Sequence, residues 1–219
     1  MLRADLHVHT CYSRDCLNPL SKIVEHCLNR GINCVAIADH NTIAGALKLR
    51  EIAPFKVIIA EEILTTAGEI MGMFLTEEIP RGLSPQETIS RIRSQCGLVA
   101  IPHPFGRFLF SKNQKLLASD LLSQIDIIEV FNSRTPFRRS TAQAQKLALE
   151  QKKIASAGSD AHTLSEIGRA YVEMPDFNQA EDFLYSLAQG KICGQKSSLG
   201  VHFITTWNKI RKAVARTKA

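Results

Sequence analysis

Hydrophobic residues in this chain form short continuous runs that alternate with segments of helical periodicity. Leu20, Ile23 and Cys27 recur at helical spacing ahead of Gly31, which predicts a helix over residues 17–30. Further helices are predicted over residues 42–53, 84–95, 140–151 and 179–189. The apolar runs, which are typical of buried strands, cover residues 33–38, 56–60, 98–102, 125–131, 154–157 and 170–174. This alternation predicts parallel β/α units in one domain, and a turn at Gly68 adds a hairpin-like return into residues 70–75.

Residues that can bind metals stand at the ends of these predicted strands. His7 and His9 alternate with apolar residues in an opening strand, so both imidazoles leave from the same side of the sheet. Further candidates end or follow later strands: His40, Glu62, His103, Asn132, Asp160 and His162. Parallel barrels gather their functional side chains at the C-terminal ends of the strands. We therefore expect these residues to meet at one rim.

The mixture of imidazoles and carboxylates suits Zn, Mn or Fe better than Ca or Mg. The set is larger than one tetrahedral ion requires, and two neighbouring ions can share a hydroxide that attacks a phosphate ester. Hydrolysis is therefore the reaction that these residues favour. His26, inside a predicted helix, and His202, near the C-terminus, are expected to be ordinary surface residues.

Composition narrows the class of protein. The 219 residues are 45% apolar, which is enough for a substantial core without disulfides. The six cysteines contain no C-x-x-C pair and are expected to be reduced thiols. There is neither a charged leader followed by an apolar run nor an apolar stretch of about 18 residues. We expect a cytoplasmic protein without a membrane span, and the sequence does not indicate its oligomeric state.

The net charge of +6 comes from the C-terminal part of the chain. After Asp182 there is no acidic residue, whereas seven residues are Lys or Arg. Trp207, Ile210 and Val214 recur at helical spacing and form an apolar stripe with cationic flanks. Two interpretations stay open: a docked or fraying helix with solvated charges, or a contact with a nucleic-acid backbone or another anionic surface.

Five segments resemble, in order, the motifs of the PHP (polymerase and histidinol phosphatase) family. They are Asp5-Leu-His-Val-His-Thr-Cys-Tyr-Ser, Ala36-Ile-Ala-Asp-His-Asn-Thr, Ala60-Glu-Glu-Ile, Ile101-Pro-His-Pro-Phe and Ala157-Gly-Ser-Asp-Ala-His. The resemblance implies an α/β fold, a distorted (β/α)7 TIM-like barrel with its metal site at the C-terminal ends of the strands. Residues 1–195 would form this domain and residues 196–219 a basic tail. The implied activity is that of a metal-dependent phosphoesterase acting on a phosphate mono- or diester, such as a small phosphorylated metabolite or a nucleotide.

The resemblance also implies two or three divalent ions and assigns their ligands. His7, His9, Glu62 and Asp160 would surround one ion, Glu62 would bridge to a second ion that His103 helps to hold, and His40 and His162 would serve a third. Three further metal candidates depart from the family pattern: Asp15, displaced by one residue because Arg14 intervenes, Glu69, where many members have a histidine, and Asn132. Catalytic roles are expected for Asp160, His162 and Asp39, the last either orienting a ligand or carrying a proton to the leaving group.

Four arginines close to these motifs are predicted to bind the substrate phosphate, because guanidinium offers a planar fork of donors: Arg14, Arg107, Arg134 and Arg169. Two alternatives stay open beside a small-molecule phosphoesterase. One is a nuclease or oligonucleotide phosphoesterase that uses the basic tail. The other is a domain that metal ions stabilise without catalysis.

Overall fold

The computed structural model describes residues 1–106, 112–117, 119–198 and 200–216 of the chain. Its strands are β1 (Leu2–Val8), β2 (Cys34–His40), β3 (Lys56–Thr65), β4 (Gly68–Met73), β5 (Leu98–Ile101), β6 (Ile127–Asn132), β7 (Ile154–Gly158), β8 (Ala170–Met174) and β9 (Lys191–Gly194). Its α-helices are α1 (Leu20–Arg30), α2 (Ala44–Ile52), α3 (Pro85–Ser94), α4 (Ser119–Leu122), α5 (Arg138–Glu150), α6 (Ala180–Ala188) and α7 (Gly200–Arg216). Short 3-10 helices cover Lys112–Leu117 and Leu164–Glu166.

The strands form one sheet in the order β7-β6-β5-β4-β3-β2-β1-β8-β9, and this sheet curls until β7 reaches β1. The backbone N–H of Asp160 donates to the carbonyl of His7 at 2.7 Å, and the N–H of His9 donates to the carbonyl of Ala161 at 3.1 Å. The result is a nearly closed α/β barrel, which confirms the predicted TIM-like fold.

Local signals set the ends of the helices as predicted. Ser84 and Glu87 form a capping box at the start of α3, and Gly31 ends α1 in the left-handed conformation, with φ of 65°. Each helix predicted from periodicity is present, with ends that differ by no more than three residues.

Strand direction is more mixed than the predicted parallel units. Strand β4 runs antiparallel to β3, as the hairpin-like return at Gly68 predicted, and also to β5. Strand β8 runs antiparallel to β1 and β9, which was not predicted. Because β4 runs in reverse, it begins at the rim where β3 ends, and Leu64 pairs with Glu69. Strand β9 was not predicted, since its four residues show no buried apolar pattern.

The buried apolar residues form two groups, one inside the barrel and one between the sheet and the helices that surround it. The inner group includes Ala4 of β1 and Cys34 of β2, and the outer group, under helices α1, α2, α3 and α5, includes Val8 and Ile37 of the same strands. Ala4 pairs with Cys34, but after a register shift Val8 pairs with Ile37. A one-residue shift reverses which face each following side chain occupies. His7 and His9 therefore point into the barrel.

Helix α7 packs on the body through its polar face. Thr205 and Asn208 are buried, whereas Trp207, Ile210 and Val214 are 61%, 52% and 49% exposed. The stripe predicted from sequence is therefore the outward face of a docked helix. Across the described segments, every helix falls short of the length and apolarity that crossing a bilayer demands.

Candidate metal centre

The barrel rim brings together five histidines and three acidic residues that are distant in sequence. Ligand atoms within 4.8 Å of one another form four groups: His9, His40 and His162; His7, Glu62 and His103; His7, His9 and Asp160; and His40, Glu62 and Glu69. These groups contain all but two of the predicted metal ligands, and the two others, Asp15 and Asn132, lie at their edge.

His7 and His9 face each other at the centre, with 3.1 Å between their Nε2 atoms. The Nδ1 of His7 lies 3.0 Å from Oε1 of Glu129, and the carboxylate oxygen accepts this hydrogen bond. The hydroxyl of Ser13 donates to Oδ1 of Asp39 at 2.8 Å. The Oγ of Ser13 therefore accepts from Nδ1 of His9, which lies 3.1 Å away. These contacts favour a proton on Nδ1 of each ring, and a neutral imidazole of that form would turn its Nε2 lone pair toward the centre, as a metal ligand requires.

Glu62, at the end of β3, contacts four of the rings. Its Oε2 lies 3.7 Å from Nε2 of His7, 3.6 Å from Nε2 of His9 and 3.0 Å from Nδ1 of His40. Its Oε1 lies 2.9 Å from Nε2 of His103. Burial opposes ionisation of this carboxyl, but the positive charge of His40 and the neighbouring hydrogen bonds hold its pKa well below the usual range. A carboxylate with both oxygens directed at different imidazoles is suited to bridge two ions.

Asp160 and His162 follow β7 on the other side of the cluster. Oδ1 of Asp160 is 3.4 Å from Nε2 of His9 and 3.3 Å from Nδ1 of His162. Asp15 approaches from the β1–α1 loop, with Oδ1 at 3.3 Å from Nε2 of His162 and Oδ2 at 3.4 Å from Nε2 of His40. Its one-residue displacement in the motif thus leaves Asp15 in contact with the two histidines assigned to a third ion.

The backbone at this rim adopts conformations that are uncommon for side-chain-bearing residues. Asp160 has φ of 54° and His103 has φ of 29°. Gly158, the last residue of β7, lies so close to β1 that an added Cβ would be 2.3 Å from Cβ of His7 and 2.7 Å from the backbone nitrogen of His7. A glycine is therefore required where β7 closes against β1.

The electrostatics of the cluster fit a divalent cation. Burial, together with the charges of His162 and His40, lowers the pKa of His9 well below its usual value, so this ring is neutral, the form that binds metals. Burial acts in the same direction on His40, but Glu62 and Asp15 raise its pKa to about 10. Buried imidazoles and carboxylates whose ligand atoms face one common point are costly unless a cation pairs with them. Nitrogen and oxygen donors together suit Zn, Mn or Fe.

Asp39 and Asn132 lie beside this cluster and hold its members in place. Asp39 is fully buried and accepts from the backbone N–H of Thr10 at 2.7 Å, from the Thr10 hydroxyl at 2.6 Å and from Ser13. Of the two roles left open for Asp39, these contacts favour the orientation of His9 through Ser13. The amide nitrogen of Asn132 donates to Oδ2 of Asp160 at 3.3 Å, and its oxygen accepts from the Arg134 N–H, so its contacts are those of an orienting residue.

The four predicted phosphate-binding arginines are in different surroundings. Arg14 is exposed in the loop that carries Asp15. Arg134 is buried, with Nε 3.1 Å from Oε1 of Glu166, so its contacts are those of an anchor inside the protein. Arg169 lines a separate cavity of about 400 Å³ beyond the rim. Arg107 lies outside the described residues.

Glu129 is the main residue of the site that sequence reasoning missed. Its Oε1 accepts from His7, and its Oε2 accepts from the backbone N–H of His103 at 2.8 Å and from Asn132 at 3.0 Å. The available signal was a carboxylate in an otherwise apolar strand, on the same face as Ile127, which packs inside the barrel. Such a residue is kept by a partner that the strand pattern does not reveal.

Comparison with known proteins agrees with this geometry. The family model of the PHP domain matches residues 5–115, and that of the PHP-associated family matches residues 138–192. The uncharacterized protein MJ0417 of Methanocaldococcus jannaschii is 36% identical over 180 residues, which are 81% of this chain and 72% of that protein.

Two solved structures share the fold at low sequence identity. A two-domain protein from Bacteroides vulgatus, which contains a predicted PHP-like metal-dependent phosphoesterase, has a TM-score of 0.68 and 15% identity over 89% of this chain and 65% of its own. Endonuclease Q, solved with a 27-mer duplex substrate that carries an abasic lesion, has a TM-score of 0.63 and 16% identity over 86% of this chain and 56% of its own. This chain thus spans less than two thirds of either protein. With a family model that matches residues 5–115 and a relative 36% identical over 81% of its length, the chain belongs to the PHP domain family.

Proposed function

We propose that this protein is a metal-dependent phosphoesterase that hydrolyses a phosphate mono- or diester of a small metabolite or a nucleotide. The observation that carries the proposal is the convergence of five imidazoles and three carboxylates, from six strand ends and loops, within the four groups described above. Membership of the PHP family supports the same reaction class. Neither observation names the substrate.

In this proposal the centre binds two or three divalent ions, which are Zn, Mn or Fe. The residues that would hold them are His7, His9, Asp15, His40, Glu62, Glu69, His103, Asp160 and His162. Ions bound there supply a nucleophilic water of lowered pKa and offset the negative charge that develops on the phosphate. Glu129, Ser13 and Asn132 keep the ligands oriented through the hydrogen bonds described above. Asp160, whose Oδ1 lies 3.4 Å from Nε2 of His9 and 3.3 Å from Nδ1 of His162, would accept the proton of the attacking water.

The proposal is tested with a generic substrate and two alanine variants. The purified protein, supplied with Mn²⁺ or Zn²⁺, should release the phenolate of p-nitrophenyl phosphate. His7→Ala and Asp160→Ala should abolish this release, because each removes a group from the centre of the cluster. His26→Ala is the matched control, since His26 is a partly exposed residue of α1 whose Nδ1 lies 3.0 Å from the carbonyl oxygen of Lys22.

Unchanged turnover in His7→Ala and Asp160→Ala would contradict the proposal. A wild-type protein that binds metal, becomes more resistant to heat and yet hydrolyses neither a monoester nor a diester would instead support the non-catalytic alternative.

A second candidate function is hydrolysis of a nucleic acid. It is favoured by the seven Lys and Arg residues that follow Asp182 in a segment that contains no Asp or Glu. The binding of a fluorescently labelled duplex, measured by anisotropy over a series of salt concentrations, distinguishes the two candidates. A nuclease should show affinity that falls steeply with salt, with a shallower slope in Arg211→Gln, which removes an exposed charge of α7. Salt-independent or undetectable binding would leave the small-molecule substrate.

A further inference from the structure

Helix α7 reaches the mouth of the metal centre with two lysines one turn apart. The Nζ of Lys209 lies 3.3 Å from Oδ2 of Asp15. The Nζ of Lys212 donates to the carbonyls of Cys11 and Ser13 at 2.5 and 2.6 Å. Cys11, Ser13 and Asp15 all belong to the β1–α1 loop. This loop places Asp15 beside His40 and His162. Helix α7 thus brings positive charge to the rim that carries Asp15.

The position of this helix is built into the protein interior. The buried guanidinium of Arg134 is paired with Glu166, and its Nη2 donates to the carbonyl of Val201 at 3.1 Å and to the hydroxyl of Thr205. These bonds fix the first two turns of α7, and Lys212 fixes its fourth. Because α7 is held at Thr205 and at Lys212, on both sides of Lys209, the fold itself positions Lys209 at the site.

The two lysines differ in what they can still bind. Lys212 is committed to two carbonyls, which hold the helix on the loop. The side chain of Lys209 is 47% exposed, whereas its partner Asp15 is 3% exposed. The ammonium of Lys209 is open to solvent on one side, and the flexible stem of lysine lets it turn to another anion. A phosphate that enters the cluster beside Asp15 passes within reach of this ammonium.

We propose that Lys209 binds the phosphate of the substrate, supplying the positive charge that was predicted from arginines. This inference rests on the proposed phosphoesterase function. It gives the C-terminal helix a part in the active site: Arg134 and Lys212 are positioning residues that hold the helix, and Lys209 contacts the substrate. A phosphate dianion, which carries more charge than a diester, is the ligand that a single ammonium at the rim favours.

The test compares Lys209→Gln with Lys209→Arg, and uses Lys191→Gln as the matched control. Lys191 is an exposed residue of β9 that pairs with Glu173, and Glu173 pairs with Arg3 at the start of β1, the end opposite to His7 and His9. Steady-state kinetics with p-nitrophenyl phosphate and Mn²⁺ give kcat and KM, and metal analysis gives the ion content. Isothermal titration of inorganic phosphate into the metal-loaded protein gives a phosphate Kd without any turnover.

For Lys209→Gln we expect KM and the phosphate Kd to rise about tenfold, with kcat within threefold and unchanged metal content, because one charge-assisted hydrogen bond is lost. Lys209→Arg should recover most of this loss, and Lys191→Gln should behave as wild type. A phosphate Kd for Lys209→Gln within twofold of wild type would overturn the assignment, as would loss of bound metal in both Lys209 variants. A wild-type protein that binds phosphate through Lys209 but hydrolyses no ester would refute the proposed function and leave Lys209 as a phosphate-binding residue without a substrate.

Discussion

Replacement of Glu129 by glutamine tests how His7 is held at the metal centre. The carboxylate accepts three hydrogen bonds, from Nδ1 of His7 at 3.0 Å, from the N–H of His103 at 2.8 Å and from Asn132 at 3.0 Å. A glutamine of the same shape has only one accepting oxygen. If that oxygen keeps the bonds to His103 and Asn132, the amide NH₂ group faces His7.

An NH₂ group opposite Nδ1 requires this nitrogen to accept, and the proton of the ring then moves to Nε2. The Nε2 of His7 is the atom that faces the Nε2 of His9 at 3.1 Å, and once protonated it cannot bind a metal. The lost hydrogen bond to a charged group is worth about 1.5–3 kcal/mol. At about 1.4 kcal/mol per tenfold change, this corresponds to a loss of about 10- to 100-fold in metal affinity.

The assay is a competition titration of metal-free protein with Mn²⁺ or Zn²⁺ against a chelator of known affinity. Glu173→Gln serves as the control, because Glu173 is partly exposed on β8, where it pairs with Arg3. Its affinity should stay within twofold of wild type. If Glu129→Gln is folded and binds metal as tightly as the control, the reasoning that links Glu129 to the protonation of His7 is refuted.

Three further substitutions test the packing and charge around the site. Gly158→Ala places a Cβ 2.3 Å from Cβ of His7, so β1 must shift, and denaturant unfolding should show a loss of about 2–3 kcal/mol. Burial raises the pKa of Glu61 from 4.5 to about 8, so the folded state binds a proton on this carboxyl more tightly than the unfolded state does. The stability that this proton contributes is complete below pH 4.5 and is lost as the pH rises toward 8. Glu61→Gln should therefore unfold like wild type near pH 4.5 and be more stable at pH 8.5, by at most about 5 kcal/mol; equal melting temperatures at pH 8.5 would contradict this. Arg134→Met leaves Glu166 buried without its cation, which costs about 3–5 kcal/mol and should expose α7 to limited proteolysis, whereas a protease-resistant variant of wild-type stability would exclude the anchoring role.

Much of the fold and the outline of the site could be predicted from local patterns. Helix ends follow from short-range chemistry, as at Ser84 and Glu87, whose capping box requires only residues three positions apart. The motif histidines stand where apolar runs end, and the ends of parallel strands meet at one rim in any barrel. Hence the convergence of His7, His40 and Glu62 followed from the order of the elements alone.

The surroundings of those residues depended on contacts between distant parts of the chain. The register shift in β1 turns His7 and His9 into the barrel, and pairing with β2 sets that shift. Glu129 reaches His7 across 122 positions, and Lys209 reaches Asp15 from the last helix. Arg134 was predicted to bind the substrate phosphate because it follows a motif closely in sequence, yet it lies in the interior in contact with Glu166 and α7.

The sequence by itself determined which segments become strands and helices and which chemical groups stand at the strand ends, because these depend on neighbours within a few residues. Tertiary structure alone decided the strand direction at β8, the pairing of β4 with β5, the face to which His7 turns, and which charges are paired inside the protein. These depend on packing between segments that the chain connects only at long range, where a pattern of apolar and polar positions carries no record of the partner.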